Sequence, residues 1–348
     1  MNNGMLLEPG PTLDSLKKYF TSISDSAFDS EADNFNYCGS GKAAISSILS
    51  YLHFTGVLKD KMSPILVPRW MGVEVYGVMM RYSFPTFDAH SNAKVLIAYH
   101  QYGFPQDMDR ILDFAQSKKM IVIEDCAHAV NSKYKGKRLG SIGDFSIYSF
   151  SKFAYCNVLG GVGFKNYEFN QFFNEHLKKS SKTLATIINL IKLLSTYNIN
   201  RGGGKVVNLG LTNGLTSMAY SRYTDSLVPS RGSINMFEKQ FKKECILRLE
   251  NYQYIKEALD EYGVFEHLTG NISVIPYAVP LKLPLKISQR IVKKLRILGL
   301  ETGIYNFDID RFMPEPNFIK TILLPCHSNL SRTTISSMID IIVSEIRA

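Results

Sequence analysis

Cysteine is scarce: five in 348 residues, an odd number with no CxxC pair. That spacing speaks against a disulfide framework and against a cysteine zinc centre, and it suits a reducing cytoplasm. No window approaches eighteen uninterrupted apolar residues, so no transmembrane segment is expected. The opening MNNGMLLEPGPTLDSLKKYF has no basic flank leading into an apolar core, so no secretory signal is expected either. There is no arginine-rich tail and no DNA-binding helix-turn-helix pattern, which leaves nucleic acid without a reader. Internal repeats and low-complexity runs are also missing.

Several catalytic signatures are missing too. The GxxxxGK[ST] spacing of a P-loop is absent, although GSGKAA at residues 39–44 opens an apolar-periodic run. No GxSxG surrounds Ser149 or Ser151, which disfavours a serine hydrolase. Cys126 and His128 are spaced like a metal pair, but no third ligand follows at a recognisable interval, so no metal site is expected.

What is present is a globular composition, with 45% apolar residues and a formal charge of +9. The positive charge comes in short clusters such as Lys118-Lys119 and Lys178-Lys179. A solvated surface accounts for it; an anionic substrate or a membrane surface would also fit. Apolar runs at 63–68, 93–103 and 120–125 read as strands, and the stretches at 39–54 and 106–119 as amphipathic helices. Strands alternating with helices imply an α/β fold, with a mostly parallel sheet covered on both faces. Residues 237–262 read as one long helix, and the C-terminal part mixes strands and helices in a smaller α/β unit. A large domain at 1–225 and a small one at 226–348 are therefore expected. The region at 167–200 reads as helical; its apolar part, 184–199, suits packing, a subunit contact or a membrane surface.

In parallel sheets, ligands gather beyond the carboxyl ends of the strands. Three such ends carry polar groups: Tyr99-His100-Gln101, Glu124-Asp125, and Ser149 to Lys152. Asp125 suits either a turn cap or a partner for a protonated pyridine nitrogen, as pyridoxal 5'-phosphate (PLP) requires. Lys152 lies between the alternating DFSIYSF and the nearly uncharged FAYCNVLGGVGF. An isolated lysine is ordinarily a solvated charge, but in apolar surroundings its amine loses a proton more readily and can form a Schiff base. The backbone at Gly41, Lys42 and Ala43 could cradle a phosphate at a helix start, a weak signal on its own.

In order, these segments resemble the DegT/DnrJ/EryC1/StrS family of PLP-dependent, fold-type-I aminotransferases. GSGKAA is similar to the family's S-G-T-A-A turn. YHQYGFPQDMDRILDFAQSKKMIVIEDCAHA resembles V-H-x-Y-G-x-P-x-D-M-D…V-I-E-D-x-A-Q-A, and YKGKRLGSIGDFSIYSF resembles Y-x-G-K-x-x-G-x-x-G-D-x-x-x-x-S-F. RLENYQYIKEAL, LRILGLETGIY and LLPCHSNLS resemble elements of the family's small domain. The resemblance implies a large three-layer domain, the PLP cofactor and transfer of an amino group, usually from glutamate, to a nucleotide-linked keto-sugar in surface polysaccharide or glycan biosynthesis. It also implies a homodimer with shared active sites.

By resemblance, Lys152 carries the cofactor and Asp125 pairs with its ring nitrogen. His128 stands near the phenolic oxygen, where the family has glutamine. Gly41, Lys42 and Ser149 take the phosphate, with Lys42 in place of threonine. Trp70 is assigned to ring stacking, although the family's aromatic slot falls on Gly72. His100 and Tyr102, with Arg231 and Asn235 reaching from the neighbouring subunit, would bind substrate. Counted forward from Ser149-Phe150, the family's usual spacing puts Ala154 in the lysine slot. Counted back from Gly160 and Gly161, eight and nine residues, it gives Lys152, which the short form S-[FL]-x-K also matches. The acidic residue usual before the glycine pair is replaced by Leu159. Two alternatives stay open: a PLP-dependent sugar dehydratase, whose lysine slot holds histidine by resemblance, and a PLP-binding regulatory protein without catalysis, which the Ala154 register allows.

Overall fold

The computed structural model describes residues 34–179, 226–268 and 273–348, together with positions 9–10, 17–19, 28, 182 and 187. The helical reading of 184–199 lies outside the described residues, apart from position 187. Of the segment LDSLKKYFTS at 13–22, which reads as a short helix, only 17–19 are described, and they are helical.

β1 (Asn34–Cys38) leads through a tight turn into α1 (Gly41–Phe54). β2 (Pro64–Leu66), α2 (Val73–Met79), β3 (Phe84–Thr86), β4 (Val95–Tyr99), α3 (Met108–Lys118) and β5 (Ile121–Asp125) follow. A small hairpin, β6 (Lys133–Tyr134) and β7 (Lys137–Arg138), precedes β8 (Phe145–Ser149), α4 (Phe150–Phe153), β9 (Gly160–Phe164) and α5 (Tyr167–Lys178). The long α6 (Arg231–Leu259) leads to β10 (Ala278–Lys282), α7 (Leu285–Ile297), β11 (Ile304–Asp308), β12 (Phe318–Pro325) and α8 (Arg332–Arg347).

The main sheet has seven strands in the order β1-β9-β8-β5-β4-β2-β3. Its centre, from β3 to β8, pairs in parallel; only β9 runs against it, and β1, antiparallel to β9, returns to the direction of the centre. Side chains alternate across the pleat. Val95, Ile97 and Ile123 face a core with Ile45, Ile48 and Leu49 of α1. Leu96, Ala98 and Val122 face a second core with Ile111 and Ala115 of α3. Helices thus cover both faces, each buried apolar side chain contributing about 1.5–3 kcal/mol. The second sheet, β10-β12-β11, is antiparallel and carries α7 and α8 on its own core of Ile291, Leu295, Ile335 and Ile342.

α6 joins the two parts. Its first half buries Phe237 and Phe241 with Phe150 and Phe153 of α4, and its last turns bury Ile255 and Leu259 in the smaller core. Sequence periodicity places this helix at 237–262; it begins six residues earlier, at Arg231, where the Ser230 side chain accepts the Ser233 N–H as N-cap. β1, β9 and β11 were not read as strands. β9 is GGVGF, and its glycines lack the β-branched signal that marks a strand.

Candidate active site

The parallel register brings the polar strand ends together. Tyr99 lies opposite Asp125, and Asp125 opposite Ile147, two residues short of Ser149. β8 then turns into the single-turn α4, which carries Lys152, half-buried, at its third position. Ala154, the alternative lysine position, is the C-cap of α4 and is packed in the aromatic core.

Lys152 Nζ lies 3.2 Å from His128 Nε2. The other imidazole nitrogen, Nδ1, is 2.6 Å from the Tyr99 hydroxyl. The Tyr277 ring lies on the imidazole with centroids 4.0 Å apart and planes within 3°. Burial, and then the nearby cations Lys152 and Arg248, hold His128 well below the usual histidine value, so it is neutral at pH 7. The pH-dependent charge expected of an exposed histidine here is suppressed.

Asp125 is buried, and one of its carboxylate oxygens accepts the Ala127 N–H at 3.0 Å. The other has no hydrogen-bond partner among the described residues. Burial raises its pKa, opposed by the Ala127 N–H and by the charges of Lys152 and His100. A buried, half-satisfied carboxylate is costly. A protonated ring nitrogen would supply the missing donor, so the residues present fit a pyridinium cofactor.

The end expected to take a phosphate is set by a close approach. A Cβ added at Gly160 would sit 2.1 Å from the carbonyl carbon of Ser40, and one at Gly41 would meet the Ser149 Cβ at 3.0 Å. Without side chains there, the start of α1 packs onto the end of β8 and the beginning of β9. Ser149 makes no capping bond to α4. Ser40 caps α1 by accepting the Ala43 N–H at 3.0 Å, which removes one of the three N–H groups expected for a phosphate. Lys42 reaches sideways to form an ion pair with Glu74 of α2.

Three expected site residues stand elsewhere. His100 is wholly buried: its Nδ1 accepts the Gln106 N–H at 3.1 Å and its Nε2 faces Glu124 at 3.1 Å. It has no face for a substrate and acts as a strut. Glu124 in turn accepts N–H groups of Gly140, Ile142 and Gly143 at 2.7–2.9 Å. Burial pushes its pKa up, but His100 and the backbone N–H groups prevail and hold it low. Asn235 is buried within its own chain, so it does not extend toward a neighbour, whereas Arg231 is exposed. Trp70 is 53% exposed and meets Phe318 edge-on at 6.4 Å, at a pocket between the two sheets that Tyr99 and Gln101 also line. It is not stacked over Asp125 and Lys152. Tyr102 lies beside His128: at φ 56° it turns the chain after β4, with its ring 6.0 Å from His128 and its hydroxyl on the Asn306 carbonyl at 3.2 Å.

Two contributors were invisible in sequence. Tyr277, just before β10, belongs to an apolar run with no charged neighbour. Arg248 lies mid-helix in α6, where an arginine ordinarily faces water, yet it is fully buried. Its guanidinium donates to the carbonyls of Phe153 (2.7 Å), Tyr277 (2.8 Å) and Pro276 (3.2 Å), and its Nε lies 2.8 Å from Glu244. It ties the lysine-bearing turn to the segment that lays Tyr277 on His128. Nothing in the local pattern marks it; only the i,i+4 glutamate is visible.

Residues 89–161, which include Tyr99, Asp125, His128, Ser149 and Lys152, match the profile of the DegT/DnrJ/EryC1/StrS aminotransferase family. Through this segment the chain is similar to that family. Among curated relatives it is similar to the GDP-perosamine synthase of Escherichia coli O157:H7, 48% identical over 60 residues, 17% of this chain and 16% of that protein. It is also 30% identical over 177 residues to an uncharacterized protein of Methanocaldococcus jannaschii, 45% of each chain. These matched stretches span less than half of either relative's length. The fold is similar over far more of the chain. Helicobacter pylori PseC, an aminotransferase involved in the biosynthesis of pseudaminic acid, superposes with a TM-score of 0.65 at 12% identity, over 98% of both chains. DesI, solved with its TDP-sugar product, gives 0.66 at 12% identity over 100% of this chain and 94% of that one. A Streptococcus pneumoniae protein assigned to the sugar aminotransferases gives 0.63 at 14% identity in its PLP form, over 99% of both chains. At such identities the likeness is one of fold. Within the family's pattern, this chain departs at Lys42, Gly72, Tyr99, His128 and Leu159.

Proposed function

We propose that this protein is a PLP-dependent aminotransferase that transfers an amino group, from glutamate, to a nucleotide-linked keto-sugar in surface polysaccharide or glycan biosynthesis. The observation that carries the reading is one arrangement: a half-buried amine at Lys152, 3.2 Å from a neutral histidine and coupled to the half-satisfied carboxylate of Asp125. When bound, PLP supplies an aldehyde for the lysine and a ring that accepts electrons once protonated. Lys152 would hold the cofactor and then move a proton as general base and acid. Asp125 would keep the ring nitrogen protonated. Ser149 and the start of α1 would hold the phosphate, and His128 would donate toward the ring oxygen.

The family's named relatives act on GDP-, UDP- and dTDP-linked amino sugars, which supports a nucleotide sugar as acceptor. The formal charge of +9 suits such an anion. The reading includes a large domain at 1–225, a small one at 226–348 and a homodimer with shared sites, which exposed Arg231 would help to complete. The described cysteines are all unbridged, which supports a reducing cytoplasm. A dehydratase is the weaker reading, because Lys152 occupies the slot that histidine holds in those enzymes.

Purified protein given PLP is expected to turn yellow, and borohydride to fix the cofactor on the peptide containing Lys152. The Lys152→Ala variant is expected to fix none. A wild-type chain that binds no PLP, or a variant that is still labelled, overturns the assignment. A panel of nucleotide keto-sugars with glutamate then identifies the acceptor.

A further inference from the structure

Two departures from the family's sequence pattern meet in the structure. Tyr99 stands where the pattern has valine, and His128 where it has glutamine. The tyrosine hydroxyl is 2.6 Å from His128 Nδ1, and Nε2, across the same ring, is 3.2 Å from Lys152 Nζ. The stack on Tyr277 holds the ring plane.

A neutral imidazole has one N–H and one lone pair, so the group on one nitrogen dictates what the other offers. Burial holds the Tyr99 hydroxyl well above the usual tyrosine value, so it keeps its proton at neutral pH. Its own proton is therefore the one to place on Nδ1. We propose that Tyr99 is a positioning residue: by donating to Nδ1 of His128 it puts the imidazole proton on Nε2, aimed at the Lys152 amine. The inference rests on the proposed role of Lys152.

An Nε2–H can pair only with the lone pair of an unprotonated amine. The opposite tautomer would offer a lone pair and hold the ammonium instead. Tyr99 thereby biases Lys152 toward its nucleophilic form. The other groups facing this pair are Asp125 from β5, which favours the ammonium, Arg248 from α6, which disfavours it, and the hydroxyls of Tyr102 and Tyr277. None of them changes in a Tyr99→Phe variant. A glutamine at position 128 would present an amide N–H with no tautomer to choose, and would not need the tyrosine.

The test uses the full chain stripped of cofactor. The pH dependence of reductive methylation at Lys152 is read by peptide mass spectrometry in four proteins: wild type, Tyr99→Phe, His128→Gln and the double variant. Tyr99→Phe is expected to raise the Lys152 midpoint by about one pH unit, or about tenfold less amine at a given pH. In the His128→Gln background the same change is expected to do nothing. An unmoved midpoint in the first pair, or an equal shift in both, overturns the inference. The ¹⁵N spectrum of wild-type His128 gives a second reading that needs no variant: a protonated Nε2 with a bare Nδ1 is expected, and the reverse overturns it. Borohydride fixation on Lys152 separates the two failures. If it fails, the aminotransferase reading falls; if it succeeds while the midpoint stays put, only the tautomer assignment falls.

Discussion

At the scale of single residues, the site holds groups that the fold would be more stable without. Asp125 is a buried carboxylate with a raised pKa, caused first by burial. A group whose folded value lies above its unfolded value contributes stability below the unfolded value and loses it as pH rises through the folded one. At neutral pH Asp125 therefore costs stability. Asp125→Asn is expected to stabilise the cofactor-free chain, by about 1 kcal/mol at pH 8, with a smaller gain near pH 4. It is also expected to weaken PLP binding at least tenfold. Urea denaturation at the two pH values and a PLP titration check both halves; a variant that binds PLP normally would remove Asp125 from the ring nitrogen.

At the scale of elements, glycine decides how closely α1 approaches the sheet. The Gly160-Gly161 pair looks like a spacing marker in sequence, and in the structure it is a contact surface. Gly160→Ala would put a methyl 2.1 Å from the Ser40 carbonyl carbon, where backbone and not a flexible side chain must move. The expected outcome is a loss of about 2–4 kcal/mol. The start of α1 would also be displaced from Ser149, so affinity for PLP is expected to fall more than affinity for pyridoxal, which lacks the phosphate. Equal loss for both ligands would show that α1 does not hold the phosphate. Most of the main-sheet elements were legible because their signals are local: apolar runs for β4 and β5, periodicity and caps for α1 and α3. β9 was not, because a glycine-rich strand is held by its neighbours β1 and β8 instead of by its own propensity.

At the scale of the whole molecule, side chains of the main sheet's loops fasten the smaller sheet. Gln101 acts as a short extra strand along β11: its amide donates to the Asn306 carbonyl at 2.6 Å and accepts the Asp308 N–H at 2.9 Å. Gln106 accepts the Met313 N–H at 2.8 Å. Gly103, at φ 98°, lets the turn after β4 pass where a Cβ would be 2.8 Å from the Pro276 Cα. Gln101→Ala leaves the buried Asp308 N–H of β11 unpaired and the Asn306 carbonyl with only the Tyr102 hydroxyl, at a cost of about 1–3 kcal/mol. Hydrogen exchange at Asp308 is expected to accelerate strongly, with little change in α1. Unchanged exchange would mean that Gln101 is not what closes this edge.

The residue types of the site, their order and their spacing belong to the sequence by itself: Asp125 after an apolar strand, Ser149 and Lys152 around a short turn, and a glycine pair beyond. Together with the alternation of strand and helix, they carried the resemblance to the family and determined the fold class. Only the tertiary structure decided which polar residues face one another. It turned His100 inward as a strut, kept Asn235 inside its own chain and gave Lys42 to Glu74. It also brought Tyr277 and Arg248, more than ninety residues beyond Lys152, to the turn that carries Lys152. The reason is physical: propensity and periodicity act over a few residues along the chain, whereas burial, stacking and the pairing of charge act through space.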